Sequence, residues 1–420
     1  MNRKKGKHST LCAKQNEAHF KNEFKSKVLA IAKKVSKGDS YKLLTSDMLD
    51  IIYNFRLRSL KVVADDNVNL PAPVIKNIKD AFFYRMHNWD FQLQEADCKI
   101  LLYDAMTAGI TLWMYLCYIK KNKSGEYPDL VQAFNDFIET EEMFIDGLKC
   151  LLHYSNFIAW YYSSFDEKFY IFKIALKTES SEPLIQYPEV RISCYDHQSI
   201  NVTIDGIKRP AFRVGFTNNG EGMKWVYINY EDIGISGLPH SGKMPVYIQH
   251  HAMNRLNERL DCVQNSGLLI SLVDSIQFKK KIVHYRGRCL MEYYYGEKKI
   301  GYFVIDIIKE RIAIIRTFLF LTHSNTPEGD ILHDLIGFEK SDIQYLNLDK
   351  LSTFANSGLK NNNRVVDLFS KAGCQSLLSL KLTDFETEGM EKRESMILSF
   401  LSKYDEYMNT QEDEVIEQSE

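Results

Sequence analysis

The sequence predicts an α+β protein made of an N-terminal α-helical bundle, a central antiparallel sheet, a helix-plus-antiparallel-sheet module and C-terminal helices. Three observations support this class. Apolar residues recur at helical spacing up to about residue 165, alternate in strand fashion after it, and return to helical spacing in the last 90 residues. Helices and strands are therefore expected in separate segments of the chain.

The first segment is strongly basic. Residues 1–36 contain ten Lys/Arg and two Asp/Glu. Such a stretch is usually a solvated arm and only sometimes a nucleic-acid contact. We predict a basic arm at 1–40, for which a helix is one of the expected conformations.

Helical spacing then dominates, and 41–165 is predicted to be a helical domain. Thr45 has the position of an N-cap, and Pro128 that of a first helical residue. The apolar stretch 100–119 has nearly the length of a membrane span. Asp104 and several polar residues within it favour a buried helix, so no membrane contact is expected.

Strand character begins at about residue 166, and 166–240 is predicted to be antiparallel. Asp205 and Gly206 separate two alternating runs, and this dipeptide is typical of a two-residue type I′ turn. Gly and Pro residues near 236–242 mark a boundary. The sequence leaves open whether this segment shares one sheet with the strands that follow.

The module predicted at 241–330 carries most groups suited to chemistry. Its strand VYIQ leads into the helix HHAMNRLNERL, where His251, Arg255 and Arg259 follow one another at intervals of four residues. These three side chains share one helix face. An adjacent stripe is apolar: Ala252, Leu256 and Leu260.

Further basic groups follow that helix. Arg316 lies in the closing strand, and Thr322 lies at its end. Four more cations precede them on a short stretch: Lys280, Lys281, Arg286 and Arg288. Phosphodiester cleavage requires cations that stabilise developing phosphate charge and an imidazole that moves protons at neutral pH. This set has both.

The order "IQHHAMNRLNERL", a short helix, and strands ending in "YFVIDIIKERIAIIRTFLFLT" resembles the small RelE/BrnT-type toxin domains of the barnase-like ribonuclease superfamily. The resemblance covers about 80 residues, with His251, Ala252, Arg255 and Arg259 on the helix signature. Arg316, Thr317 and Thr322 take the place of functional groups on the closing strand. The resemblance implies an α+β ribonuclease fold, although those toxins are usually small, free-standing and basic.

The first hypothesis is a toxin-like or RNA-processing protein with a metal-independent endoribonuclease module. His251 is then the general acid or base, while Arg255, Arg259 and Arg316 hold the scissile phosphate and Thr322 completes the catalytic set. The RNA backbone is assigned to the four cations Lys280, Lys281, Arg286 and Arg288.

The alternative is a non-enzymatic protein-interaction or nucleic-acid-binding protein, whose helical regions contact a partner. The His/Arg face is then the solvated side of an amphipathic helix, and Lys279–Lys281 is a solvated turn. Residues 246–330 contain 12 Lys/Arg and 9 Asp/Glu, a mildly basic balance that does not decide between the two. Oligomeric state is left open.

Several other function classes have no motif. The sequence lacks GxGxxG, Walker A, HExxH and GxSxG patterns. The eight cysteines form no CxxC pair. With no motif for one, neither a metal nor another cofactor is expected. Scattered single thiols are typical of a reducing compartment, so a cytoplasmic location is expected. The final segment, 331–420, is predicted to be helical with an acidic tail, since 404–420 holds seven acidic and no basic residues.

Overall fold

The computed structural model describes residues 3–93, 98–139, 143–179, 185–218, 221–234, 242–309, 311–337, 340–382 and 394–402. The chain has the α+β class that the sequence predicts. It divides into two compact units. Unit 1 comprises Met1–Ala159, Tyr170–Cys194 and Asn219–Gly222, and unit 2 comprises Trp160–Phe169, Tyr195–Asn218 and Met223–Glu420.

Unit 1 is mostly helical. Its helices are α1 (Arg3–Val35), α2 (Ser46–Asn54), α3 (Ala72–Asn88), α4 (Leu102–Asp104), α5 (Ile110–Lys123), α6 (Pro128–Ala133), α7 (Asn135–Ile138) and α8 (Met143–Tyr162), with a 3-10 turn at Ser40–Leu43 and a π-helical turn at Ala105–Gly109. Thr45 caps α2 by accepting a hydrogen bond from the Met48 amide at 3.3 Å. Pro128 is the first residue of α6. Both local predictions are confirmed.

The basic N-terminal stretch lies in the helix α1. Val28, Ile31 and Ala32 on α1 are buried, and α1 belongs to unit 1. The positive charges lie on a helix whose apolar residues, spaced three and four apart, pack inward. Composition alone could not reveal this packing.

A three-stranded sheet and a two-stranded sheet complete unit 1. Their strands are β1 (Lys61–Ala64), β2 (Asp90–Leu93), β3 (Cys98–Leu101), β4 (Lys168–Glu179) and β5 (Ile185–Asp196). The three-stranded sheet has the order β1-β5-β4, and β1 runs parallel to β5. The apolar stretch at 100–119 is divided among the end of β3, α4, the π-helical turn and most of α5. Among the described residues, no helix is long and apolar enough to cross a membrane.

Unit 2 is built on one large sheet. Its strands are β6 (Ser199–Ile204), β7 (Ile207–Arg213), β8 (Gly215–Thr217), β9 (Met223–Trp225), β10 (Tyr227–Asn229), β11 (Lys243–Gln249), β12 (Ile282–Tyr285), β13 (Arg288–Tyr295), β14 (Lys298–Ile308) and β15 (Ile312–Phe320). The sheet runs β12-β13-β14-β15-β11-β7-β6, with β10 also on β11 and a separate β8-β9 ribbon.

This order answers the question that the sequence leaves open. Strands β6 and β7 share one sheet with β11–β15, whereas β4 and β5 pair with β1 in unit 1. The segment 166–240 is therefore divided between the units. The expected hairpin is present, because Asp205 and Gly206 form the two-residue turn between β6 and β7 with φ of 52° and 78°.

One pair in this sheet is parallel. Val246 on β11 lies opposite Ala313 on β15, which departs from the wholly antiparallel sheet expected. Two helices and three strands lie between β11 and β15 in the chain, a connection long enough to return the chain in the same direction.

The helices of unit 2 are α9 (Tyr230–Ile233), α10 (His250–Arg259), α11 (Asn265–Asp274), α12 (Pro327–Ile336), α13 (Lys340–Tyr345), α14 (Asn363–Lys371) and α15 (Gln375–Leu378), with a π-helical turn at Ser275–Lys279, 3-10 turns at Leu351–Thr353 and Gly358–Asn361, and a helical stretch at 394–402. The C-terminal segment is helical in its described part, as predicted. The acidic tail at 404–420 lies outside the described residues.

Candidate functional site

Helix α10 is positioned by the strand before it. Gln249 ends β11 and is the N-cap residue of α10, so the helix begins where the sheet stops. Ala252, Leu256 and Leu260 are fully buried in the core of unit 2, which confirms the predicted apolar stripe. The remaining side chains of α10 divide into two further stripes, one at each side of the buried one.

The first of these stripes carries His251 and Arg255. His251 is exposed, and Arg255 is half-buried and pairs with Glu258 at 2.7 Å between Nη1 and Oε2. Because Ala211 on β7 lies opposite Gln249, the stretch of β7 before Ala211 extends past the end of β11. This brings Arg209 toward the first turn of α10.

The pKa of His251 reflects the nearby positive charges. Partial burial lowers the pKa of His251 below its usual value, the positive charges of Arg255 and Arg209 lower it further, and Glu258 opposes them. His251 is therefore neutral at pH 7, with an imidazole nitrogen able to accept a proton. We call Arg209, His251 and Arg255 the cationic face.

The third predicted member of the helix face, Arg259, has a structural partner. Its guanidinium forms an ion pair with Asp349, and the two side chains are 15% and 5% exposed. Arg259 borders a small cavity of about 30 Å³ with Thr322 and His323. That volume holds about two water molecules, so the cavity has no room for a nucleotide.

Thr322 lies in the same cavity wall, where its hydroxyl is already used. The side chain is 1% exposed, and Oγ1 donates a hydrogen bond to the Leu348 carbonyl at 2.7 Å. Neighbouring His323 is neutral over most of the pH range, because burial, assisted by Arg259, Lys340 and Arg288, lowers its pKa to about 4. Thr322 thus anchors the loop that contains Leu348 and is not part of the cationic face.

Arg316 lies on the other side of the sheet from α10. Ala313 and Ile315 pack into the same core as α10, whereas Ile314 packs into a separate cluster. Arg316 pairs with Asp306, opposite Ile314, at 3.4 Å and also with Asp205 of the β6–β7 turn. A β-bulge at this point makes Arg316 the residue without a direct partner on β14.

The four cations assigned to the RNA backbone lie toward the opposite edge of the sheet. Lys280 and Lys281 precede β12, and Arg286 occupies the β12–β13 turn, where it pairs with Asp330 at 3.0 Å. In the order of the sheet, three strands, β13, β14 and β15, lie between β12 and β11. Arg288 borders an open groove of about 690 Å³ together with Arg316, on the side away from α10.

The structure places His251 and Arg255 side by side on α10 and adds Arg209, and Arg255 also borders a groove with Arg259. Arg259 and Thr322 line the small cavity, and Arg316 lies on the opposite face. Arg209 has no signal in its own segment, because only the pairing of β7 with β11 places it beside α10. Within the described part of the chain, no group of three His, Cys, Asp or Glu side chains is arranged to hold a metal ion.

Comparison with known proteins identifies no relative: no family model, curated protein or solved structure matches the chain. The likeness to RelE/BrnT-type domains thus stays a prediction.

Proposed function

We propose that unit 2 binds RNA through the phosphodiester backbone at the cationic face. The observation that carries this proposal is that positive charges from two different elements, Arg209 on β7 beside the start of α10 and Arg255 on α10, both act on the imidazole of His251. Two guanidinium groups and a neutral imidazole form a surface of donors suited to phosphate oxygens.

The footprint of this surface is small. Further along α10, the groove bordered by Arg255, Arg259 and Lys350 also contains Glu258, Asp261 and Asp349, so positive and negative charges balance there. The positive excess lies at the start of α10, where Arg209 adds a charge outside this groove, while Arg255 is shared with Glu258. With about two charged contacts, non-specific affinity on the order of 10⁻⁴–10⁻⁶ M and a log–log salt slope of about −1.4 are expected for a single strand.

The test is a salt titration of binding to a labelled single-stranded RNA, measured by fluorescence anisotropy. We compare the full-length chain with Arg209→Ala, Arg255→Ala and the matched control Arg311→Ala. Arg311 is exposed and precedes β15 near the level where β11 begins, about 17 Å along the strand from α10. Each of the first two variants should weaken binding and reduce the slope by about 0.7, and Arg311→Ala should do neither. If the three variants weaken RNA binding equally, or if the unsubstituted chain does not bind RNA at low salt, the proposal is contradicted.

A second function is RNA cleavage, favoured by the neutral state of His251. His251 would take the proton of a ribose 2′-hydroxyl, the 2′-oxygen would attack the adjacent phosphorus, and the bond to the 5′-oxygen would break, with water supplying the proton to the leaving oxygen. The arginines would stabilise the charge that develops on the phosphate. The products would be a 2′,3′-cyclic phosphate and a 5′-hydroxyl.

Incubation of the chain with RNA in EDTA, followed by analysis of the end groups, separates the two functions. Cleavage that His251→Ala abolishes, with RNA affinity retained, supports catalysis. Binding without cleavage supports the binding function alone. Cleavage at the same rate by His251→Ala excludes the role of His251 as base.

A further inference from the structure

A pocket lies on the side of α10 away from the cationic face. It has a volume of about 120 Å³, and α10 contributes His250, Met253, Asn254 and Asn257 to its wall. These positions form one helical stripe, about 130° around α10 from the stripe of His251 and Arg255. A single helix therefore carries the cationic face and this pocket on two of its sides, with the buried stripe on the third.

The floor of this pocket is apolar and partly aromatic. Phe165 and Leu269 are 3% and 5% exposed, and Phe212 is half-buried beside them. Of these side chains, the partly exposed ring of Phe212 is the one that can stack against a planar ring. The volume admits one ring system and excludes a folded peptide.

The rim is lined by neutral side-chain amides. Asn254 and Asn257 are exposed, and within the described residues their side chains have no hydrogen-bonding partner. The side-chain amide of Asn265 donates a hydrogen bond to the Ser163 carbonyl at 3.3 Å. Each free amide offers both a donor and an acceptor, which is the pattern that reads the edge of a nucleobase.

His250 at the start of the stripe is oriented by an acidic partner. Its Nδ1 lies 3.2 Å from a carboxylate oxygen of Asp166, whose other oxygen accepts a hydrogen bond from the Ser164 hydroxyl. This contact leaves Nε2 as the ring nitrogen available to a ligand. The pocket thus has an apolar floor, two free amides and one oriented imidazole.

We infer that this pocket takes one unpaired nucleobase of a single-stranded RNA, with Asn254 and Asn257 reading the base edge. The inference rests on the proposed RNA-binding function, and it assigns that function a source of base preference. The backbone contacts of Arg209 and Arg255 supply affinity without sequence information, whereas the amides distinguish bases. Single-stranded RNA presents such unstacked bases, and stacking on aromatic side chains is its usual mode of recognition.

The experiment uses the four ribonucleosides, which carry the base without phosphate. Saturation-transfer NMR on the full-length chain should show contact to the base protons of at least one nucleoside. Asn254→Ala/Asn257→Ala should abolish that contact, and Asn257→Asp should weaken it because the amide donor is lost. Arg209→Ala/Arg255→Ala should retain it, as should the matched control Asn361→Ala, an exposed asparagine in the 3-10 turn Gly358–Asn361.

A second arm measures affinity for 12-residue homopolymers of the four ribonucleotides at one salt concentration. The wild-type chain should prefer one base over the weakest by about five- to a hundredfold. Asn254→Ala/Asn257→Ala should narrow the range to within twofold and leave the salt slope unchanged.

The two arms separate the two proposals. Salt-dependent RNA binding that is equal for all four homopolymers, with no nucleoside contact, overturns the pocket and leaves the cationic face supported. Nucleoside contact that depends on Asn254 and Asn257, without RNA binding, supports the pocket and overturns the proposed function. Nucleoside contact that the double alanine variant retains also overturns the pocket.

Discussion

Arg259 and Asp349, 90 residues apart in the chain, form an ion pair that is nearly withdrawn from water. Burial raises the pKa of Asp349, and the Arg259 charge opposes that rise. The arginine that the sequence assigns to phosphate binding therefore compensates a buried carboxylate. The ion pair joins the C-terminal end of α10 to the loop that follows α13.

Removing Arg259 should destabilise unit 2. Arg259→Met leaves the Asp349 carboxylate buried without a partner, which typically costs about 3–5 kcal/mol. The measurement is the urea denaturation midpoint followed by circular dichroism. Arg255→Met is the matched control on the same helix: its pair with Glu258 is exposed, with side chains 42% and 54% accessible, and should contribute about 0–1 kcal/mol. Equal losses in the two variants would contradict the structural role of Arg259.

The destabilisation by Arg259→Met should also depend on pH. Without the arginine, less positive charge opposes the effect of burial and the pKa of Asp349 rises further, so the folded state takes up a proton at a higher pH than the unfolded state does. The loss of stability should therefore be smaller at pH 4 than at pH 7. Asp349→Asn in the Arg259→Met background should remove this pH dependence. A loss of stability that grows as pH falls would contradict this prediction.

Thr322 should affect stability and not RNA binding. Thr322→Val removes the donor to the Leu348 carbonyl and leaves that buried acceptor unsatisfied, at a cost of about 1–3 kcal/mol. Thr322→Ser retains the hydroxyl and should recover part of the loss. The denaturation midpoint and RNA affinity are measured on the same preparations. Reduced RNA cleavage or binding by Thr322→Val, with unchanged stability, would restore the catalytic assignment.

His323 should make unit 2 less stable in mild acid. Its pKa is about 4 in the folded state and about 6.5 when unfolded, so the unfolded state binds the additional proton between these values. Stability contributed by neutral His323 is thus present above pH 6.5 and lost as pH falls toward 4, by up to about 3 kcal/mol. His323→Gln should flatten the profile of midpoint against pH in that window. An unchanged profile would show that His323 titrates normally.

Local signals in the sequence identify individual elements well. Thr45, Pro128 and the Asp205-Gly206 turn are each recognised from a few neighbouring residues, because caps and tight turns satisfy backbone groups within the same segment. The buried stripe of Ala252, Leu256 and Leu260 follows in the same way from helical periodicity.

The candidate site depends on contacts that no local pattern contains. Arg209 comes near His251 because β7 pairs with β11, and Arg259 is engaged because Asp349 returns to α10 from a distant loop. Arg316 faces away from α10 because strand alternation and a bulge decide its side of the sheet. Sequence spacing was enough to put His251 and Arg255 on one helix face. It could not predict on which face of the sheet Arg316 lies, because the strand order was unknown.

The cationic face makes a prediction that needs no ligand. Arg255 and Arg209 both lower the pKa of His251, and Glu258 raises it. Arg255→Ala and Arg209→Ala should each move the pKa of His251 upward, toward its usual value, whereas Glu258→Gln should move it downward. The ring-proton chemical shift of His251, followed by NMR between pH 4 and 9, measures all three, and Arg311→Ala is the control without effect. Because the two arginines lie on different elements, an upward shift in both variants requires that β7 and α10 share one surface. A response to Arg255→Ala alone would place Arg209 elsewhere and reduce the face to a single helix.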